Sequence, residues 1–239
     1  MNVSLADQPS IAGNHLAQQI NSNGYAVIEN FVDPSDLRVA QQFVSDAIAR
    51  NNGEYVGFSG TKDLGGTFLA DLPQDPSFIE LCRNIYESGV GKPAPDVNFY
   101  QILRCLSGSE AQNHSMMFHF DSYVLTALIP ITVPAHGMPG RLVIHPNTRN
   151  IRKTYLGNLV DKALVDNPIA QNWFKKSYQK GADNVLRLTL KPGNLYLFWG
   201  YRSLHTNEAC DADAIRATAL LHYADPHADS RLKQMLRRH

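Results

Sequence analysis

The triplet His119-Phe120-Asp121, read with the distant His205, places the tightest demand on how this chain can fold. In an extended strand, residues two apart project to the same face, so His119 and Asp121 stand side by side while Phe120 points away. The flanks, MMFHF before and YVLTALIPI after, are apolar and β-branched enough to read as strands. An adjoining strand carrying His205 would complete two imidazoles and one carboxylate on one side of a metal, leaving its opposite positions open. Only a fold that pairs strands far apart in sequence can do this.

An H-x-D triplet alone is a weak signal, and the C-terminal stretch strengthens it. KPGNLYLFWGYRSLHTNEACDADAIRATALLHY reads as two strands, Asn194 to Trp199 and Arg216 to Tyr223, joined by a polar turn. His205 follows the first strand and Arg216 opens the second, so in an antiparallel pair the two can approach across the ladder. Two histidines and one carboxylate with open positions form the ligand set of non-haem iron(II) oxygenases. The planar fork of an arginine binds a carboxylate through two parallel hydrogen bonds. It suits the far carboxylate of 2-oxoglutarate, whose keto-acid end chelates iron.

The combination resembles the iron(II)/2-oxoglutarate-dependent oxygenases, and most closely the phytanoyl-CoA dioxygenase-like branch that includes ectoine hydroxylase. Four stretches carry the resemblance. GYAVIENFVDPSDL at residues 24–37 is similar to the family's N-terminal strand-turn-helix, and HFD to its metal triplet. GRLVIHPNTRN resembles its Gly-rich turn, strand and corner, and PGNLYLFWGYRSLHTN with Arg216 eleven residues after His205 resembles its distal block. The resemblance implies iron(II) held by His119, Asp121 and His205, O2 as oxidant, and 2-oxoglutarate with its far carboxylate on Arg216. Thr218, on the same face as Arg216, can support that carboxylate. Asn207 stands where many relatives have a serine helping it, and Gln101 near where relatives place a glutamine against the cosubstrate. The implied reaction hydroxylates a small-molecule substrate, or desaturates it, releasing succinate and CO2. Related halogenases have a small residue in place of Asp121, so halogenation is not implied.

About eight short strands with turn signals, preceded by helices, fit a mainly β fold with flanking helices: a double-stranded β-helix, or jelly-roll, cupin-like barrel. At 239 residues the chain is read as a single domain. Residues 1–95 hold N-terminal helices and a strand, 96–223 the barrel core with a helical insertion at about 150–183, and 224–239 a tail. Asp33-Pro34 and Asp75-Pro76 are helix starts. Val97 to Leu106 is a strand with Val97, Phe99, Gln101 and Leu103 on an inward face. The glycine-rich stretch 54–74, anchored by Phe68 and Leu69, is either a surface connection or a lid. The insertion folds around Pro168 with Trp173 and Phe174 as buried anchors.

Zero formal net charge gives no field for nucleic acid or an anionic membrane, and no apolar run reaches spanning length. A small-molecule substrate is the expected partner, for a monomer or homodimer. Cys82, Cys105 and Cys210 form no C-x-x-C, and the N-terminus lacks a signal-peptide pattern, so a reduced, cytoplasmic chain is expected. Arg141 and Arg149 are candidates for a substrate carboxylate, weighed against ordinary solvated arginines, and with Arg104 they hint at an amino-acid-like or other carboxylate-bearing metabolite. His114 reads as exposed, and His136, His145 and His222 as structural. His227-Ala228-Asp229 is a second H-x-D, but no strand follows to supply a third ligand. Two rivals remain: a cupin-like hydrolase or isomerase using zinc or manganese, which would not need Arg216, and a non-catalytic barrel that binds 2-oxoglutarate.

Overall fold

Asp-Pro and Asn-Pro pairs set three of the helix starts. Asp33, Asp75 and Asn167 each accept a backbone N–H from the first turn, and the following proline occupies a position that needs no donor. Such a cap contributes about 1 kcal/mol. The computed structural model describes residues 9–108, 115–181 and 183–236. Along the chain come α1 (Pro9–Asn23), β1 (Ala26–Ile28), α2 (Pro34–Arg50), β2 (Val56–Ser59), α3 (Phe68–Asp71) and α4 (Pro76–Val90). Strands β3 (Tyr100–Leu106), β4 (Leu125–Thr132) and β5 (Leu142–His145) follow, then α5 (Tyr155–Asp166) and α6 (Pro168–Gln179). The chain closes with β6 (Leu186–Leu188), β7 (Leu195–Phe198), β8 (Leu204–Asn207), β9 (Arg216–Tyr223) and α7 (Arg231–Leu236).

Among the described residues the strands form two antiparallel sheets. One has six strands in the order β1-β7-β4-β9-β3-β2, the other three in the order β6-β5-β8. The long central strands are buried on both faces, and their parity divides the work. Ala127, Ile129 and Ile131 of β4 and Ala217, Ala219 and Leu221 of β9 join the core under α1, α2 and α4. The alternate residues Leu128, Tyr196 and Phe198 meet Leu142 and Ile144 of the smaller sheet. The two sheets thus pack face to face without closing into a continuous barrel. Helices α5 and α6 cover the outer side of the smaller sheet, where Val143 and Leu204 pack with Phe118, Phe120 and Val165.

Several expectations need correction. On β3, Gln101, Leu103 and Cys105 do share a face, but it is the helix side: Leu103 and Cys105 are fully buried there, and Gln101 donates Nε2–H to the Leu69 carbonyl at 2.9 Å. Tyr100, Ile102 and Arg104 therefore face the space between the sheets. The stretch 54–74 is no lid. Val56–Ser59 pairs with β3, and Leu64, Phe68, Leu69 and Leu72 are buried in the helix-side core. MMFHF is not a regular strand: Met116 has φ +54°, and His119 alone forms a bridge, to His205. Trp173 is 63% exposed, while Phe174 packs on Phe118. No helix among the described residues is long and apolar enough to cross a membrane.

Candidate active site

The bridge between His119 and His205 builds the centre. Each donates its backbone N–H to the other's carbonyl at 3.0 Å, so their side chains leave the same face with ring centroids 4.4 Å apart. Asp121 is drawn to the same point because its N–H bonds the Gly200 carbonyl in the β7–β8 turn at 3.0 Å. That turn is held from several sides: Trp199 donates to Asn21, the Tyr201 hydroxyl meets His227, and Arg149 donates to the Tyr201 carbonyl.

Candidate ligand atoms of His119, Asp121 and His205 lie within 4.8 Å of one another. The hydrogen bonds fix which atoms these are. His119 Nδ1 lies 2.9 Å from the Met117 carbonyl, and His205 Nδ1 2.9 Å from that of Ser203. A carbonyl only accepts, so both Nδ1 atoms carry protons, which leaves Nε2 as the atom of each ring that can present a lone pair to a metal. Those Nε2 atoms stand 3.8 and 3.6 Å from Asp121 Oδ1. The other carboxylate oxygen is engaged elsewhere: Thr126 Oγ1 donates to Oδ2 at 2.5 Å, and His222 Nδ1 approaches Thr126 Oγ1 at 3.1 Å. Thr126 has one hydroxyl proton, so His222 is the donor in that second bond. A chain from His222 through Thr126 therefore orients Asp121 with one oxygen free, the kind of outer support that metal ligands require.

Charge matches this use. Burial alone would raise Asp121, but His205, His222 and His119 around it hold its carboxyl well below the usual range. Burial of the ring among protein atoms, with His205 beside it and against the pull of Asp121, brings His119 down to about 4. Its side chain nonetheless keeps 46% of its surface open. His205, which burial alone would lower, is raised by the charge and hydrogen bond of Asp121.

A cavity of about 300 Å³ between the sheets contains all three residues and Arg216, Thr218, Asn207 and His222. Arg216 is 4% exposed; its Nε has no hydrogen-bond partner, and no carboxylate pairs with it among the described residues. Burial, with Arg104 adding to it, brings its guanidinium down to about 10, still cationic at neutral pH. A buried arginine without a partner is costly. An anion reaching it through the cavity would relieve that cost. Gly140, at φ +66°, lets the arginine lie flat: a Cβ there would come within 2.7 Å of Arg216 Cδ.

Other expected residues fall elsewhere. Gln101 faces the helices, as above, and cannot reach the cavity. Arg141 is held bidentate by Glu208 at 2.7 and 2.9 Å outside the cavity, and Tyr178 donates to the same carboxylate. Arg149 is 8% exposed, pairs with Asp161 and Asn158, and lies over the rings of Phe120 and Tyr201. Neither arginine is available to a substrate in that cavity. Asn207 donates to the Glu208 carbonyl at 3.0 Å while lining the cavity. His222 is a hydrogen-bonded histidine of the support layer, and His227 is buried against Tyr201 away from the triad. His114 lies outside the described residues. Arg104, the third arginine weighed for an anionic group, does line the cavity. Sequence reading missed Thr126, Gly200 and Lys162. Parity on β4 pairs Thr126 with Leu128 on the cavity face, but nothing local marked the other two.

Comparison with family models finds no match, and comparison with curated protein sequences finds none. Solved structures do match in fold. A prolyl hydroxylase from Trichoplax adhaerens, in complex with a hypoxia inducible factor peptide fragment, superposes with TM-score 0.52 at 15% identity, covering 91% of each chain. The non-heme alpha ketoglutarate dependent epimerase SnoN from nogalamycin biosynthesis gives 0.55 at 17%, covering 90% of this chain and 81% of that one. HygX from Streptomyces hygroscopicus, with nickel and 2-oxoglutarate bound, gives 0.60 at 10%, covering 88% and 86%. The chain thus has the fold seen in these proteins. Its His-Asp-His cluster fits iron(II).

Proposed function

We propose that this chain is a non-haem iron(II) and 2-oxoglutarate-dependent dioxygenase of the phytanoyl-CoA dioxygenase-like branch, its paired sheets a double-stranded β-helix, that hydroxylates a small-molecule substrate. The observation that carries the reading is the unpartnered Arg216 fork, buried in the same cavity as three converging metal-ligand atoms. A cupin-like hydrolase would have no use for that cation, and a non-catalytic barrel that binds 2-oxoglutarate would leave it unconsumed.

With iron and 2-oxoglutarate bound, O2 would be the oxidant, one of its oxygen atoms entering succinate as the cosubstrate loses CO2 and the other entering the hydroxylated substrate. The chain's own residues do the rest. His119 Nε2, His205 Nε2 and Asp121 Oδ1 hold the metal on one side. Arg216 and Thr218, on alternate positions of β9, take the far carboxylate of 2-oxoglutarate, with Asn207 beside them. Apolar walls from Leu128, Leu142, Phe198 and Leu220 limit water around the reacting carbon. Three free, buried cysteines support a reducing compartment, the cytoplasm.

The test is turnover of labelled 2-oxoglutarate in air by iron-loaded protein. Succinate should form in proportion to 2-oxoglutarate lost, and Arg216→Ala should slow this by about tenfold or more, as expected for loss of a charge-assisted bidentate contact. Folded, iron-loaded protein that leaves 2-oxoglutarate intact contradicts the proposal.

A further inference from the structure

The cavity holds more positive charge than the cosubstrate and metal account for. Three cations line it, Arg104, Lys162 and Arg216, against one carboxylate, Asp121. A divalent metal and the dianion of 2-oxoglutarate cancel each other, so the surplus of two positive charges (three cations less one carboxylate) persists when both are bound. Two cations facing a partly apolar cavity call for an anion.

The cations sit differently. Arg104 acts electrostatically on His119 and Arg216, on the side given to the cosubstrate. Lys162 comes from α5 in the insertion, and its field falls on Asp121 and His205 instead. Its Nζ donates to Ser122 Oγ at 2.9 Å, while Asp121 and Asp166 act on it only from beyond ion-pair distance. Arg149 holds this helix in place through Asp161, the residue next to Lys162, and Asn158. Nζ retains two further protons and the Ser122 hydroxyl retains one, so the pair offers neighbouring donors spaced for the two oxygens of a carboxylate. Beside Ser122, the rings of Tyr100 and Tyr123 stack at 5.5 Å and 10°, and Tyr100 is 43% exposed. An organic body fits against that flat wall, and about 300 Å³ keeps it small.

Resting on the oxygenase reading, we propose that the substrate is a small organic acid whose carboxylate docks on Lys162 and Ser122, with its carbon skeleton against Tyr100 and Tyr123. Lys162 is carried by the insertion, apart from the His119–Asp121 segment and the sheet strands that hold metal and cosubstrate.

The experiment uses protein loaded anaerobically with iron(II) and 2-oxoglutarate, titrated calorimetrically with matched pairs: 3-phenylpropionate and its amide, hexanoate and its amide, 4-hydroxyphenylacetate and its amide, with phenyl phosphate as the phosphate arm. At least one acid should bind on the order of tenfold more tightly than its amide and than phenyl phosphate. Lys162→Met should bring acid and amide to within about threefold, while Lys162→Arg keeps the preference, with thermal melts confirming that both variants fold. No carboxylate preference anywhere in the panel, a preference for phenyl phosphate, or a preference intact in Lys162→Met overturns the inference. The iron–2-oxoglutarate absorption band of the wild-type protein separates the two levels. A band without acid preference rejects the substrate class alone, whereas no band rejects the oxygenase reading as well.

Discussion

Asp121 uses its two oxygens differently, and the rest of the centre follows from that. Oδ1 faces the two Nε2 atoms, while Oδ2 is fixed by Thr126. Gly200 makes the arrangement sterically possible: a Cβ there would lie 2.1 Å from Asp121 Oδ2 and 2.2 Å from Thr126 Oγ1. These atoms are held by hydrogen bonds and cannot move aside freely. Gly200→Ala is therefore expected to weaken iron binding by about 10–100-fold, as loss of outer support does at metal sites. Direct metal titration of the folded variant checks this, and unchanged affinity would remove Gly200 from the account. At this scale the ligands were legible because H-x-D and a later histidine are chemically conspicuous. Gly200 was not, because a glycine beside Trp199 and Tyr201 reads equally as a plain turn.

Strand parity was legible, but which face meets the cavity was not. Alternation on β9 put Arg216 and Thr218 on one face, and Leu220 and His222 line the cavity with them. On β3 the same rule grouped Gln101 with Leu103, yet both of its faces carry mixed residues, and the helix layer took the side with Leu103 and Cys105. Arg104 was thereby left facing the cavity. Arg141 and Arg149 misled for a related reason: Glu208 comes from a distant segment and Asp161 from the following helix, and no local pattern links either to its arginine. The connection between β4 and β5 also has a task beyond turning. Gly140 sits there at φ +66°, against the Arg216 stem. Gly140→Ala should cost about 1–2 kcal/mol from the left-handed backbone alone. It should also weaken 2-oxoglutarate binding by displacing the guanidinium. A melt combined with a 2-oxoglutarate titration separates the two effects, and tight binding in a merely destabilised variant would contradict the second.

Across the molecule, one six-stranded sheet serves two neighbours, a helix layer that supplies stability and a smaller sheet with which it encloses the site. The helix-side core encloses Cys82 and Cys105, both fully buried, and Cys210 is buried beside Leu106. Burial pushes the Cys82 thiol up and that of Cys105 up to about 12, and it raises Cys210 too. Thiolate is the reactive form, so raised values mean little reaction at pH 8. Native protein should resist iodoacetamide there and take up three labels only in denaturant; rapid native labelling would show the helix layer opening. Paired sheets with flanking helices were foreseeable from strand alternation and the proline caps. The division of the strands into an open sandwich of six and three was not, since it depends on long-range pairing such as β1 with β7. The central claim is that metal and cosubstrate meet between these sheets. Anaerobic titration of apo-protein with iron(II) and 2-oxoglutarate tests it most directly, followed at the visible metal-to-ligand charge-transfer band. A band requiring both components, absent in Asp121→Ala and weakened in Arg216→Ala, is the predicted result. Folded, iron-loaded protein that gives no band on adding 2-oxoglutarate would contradict it.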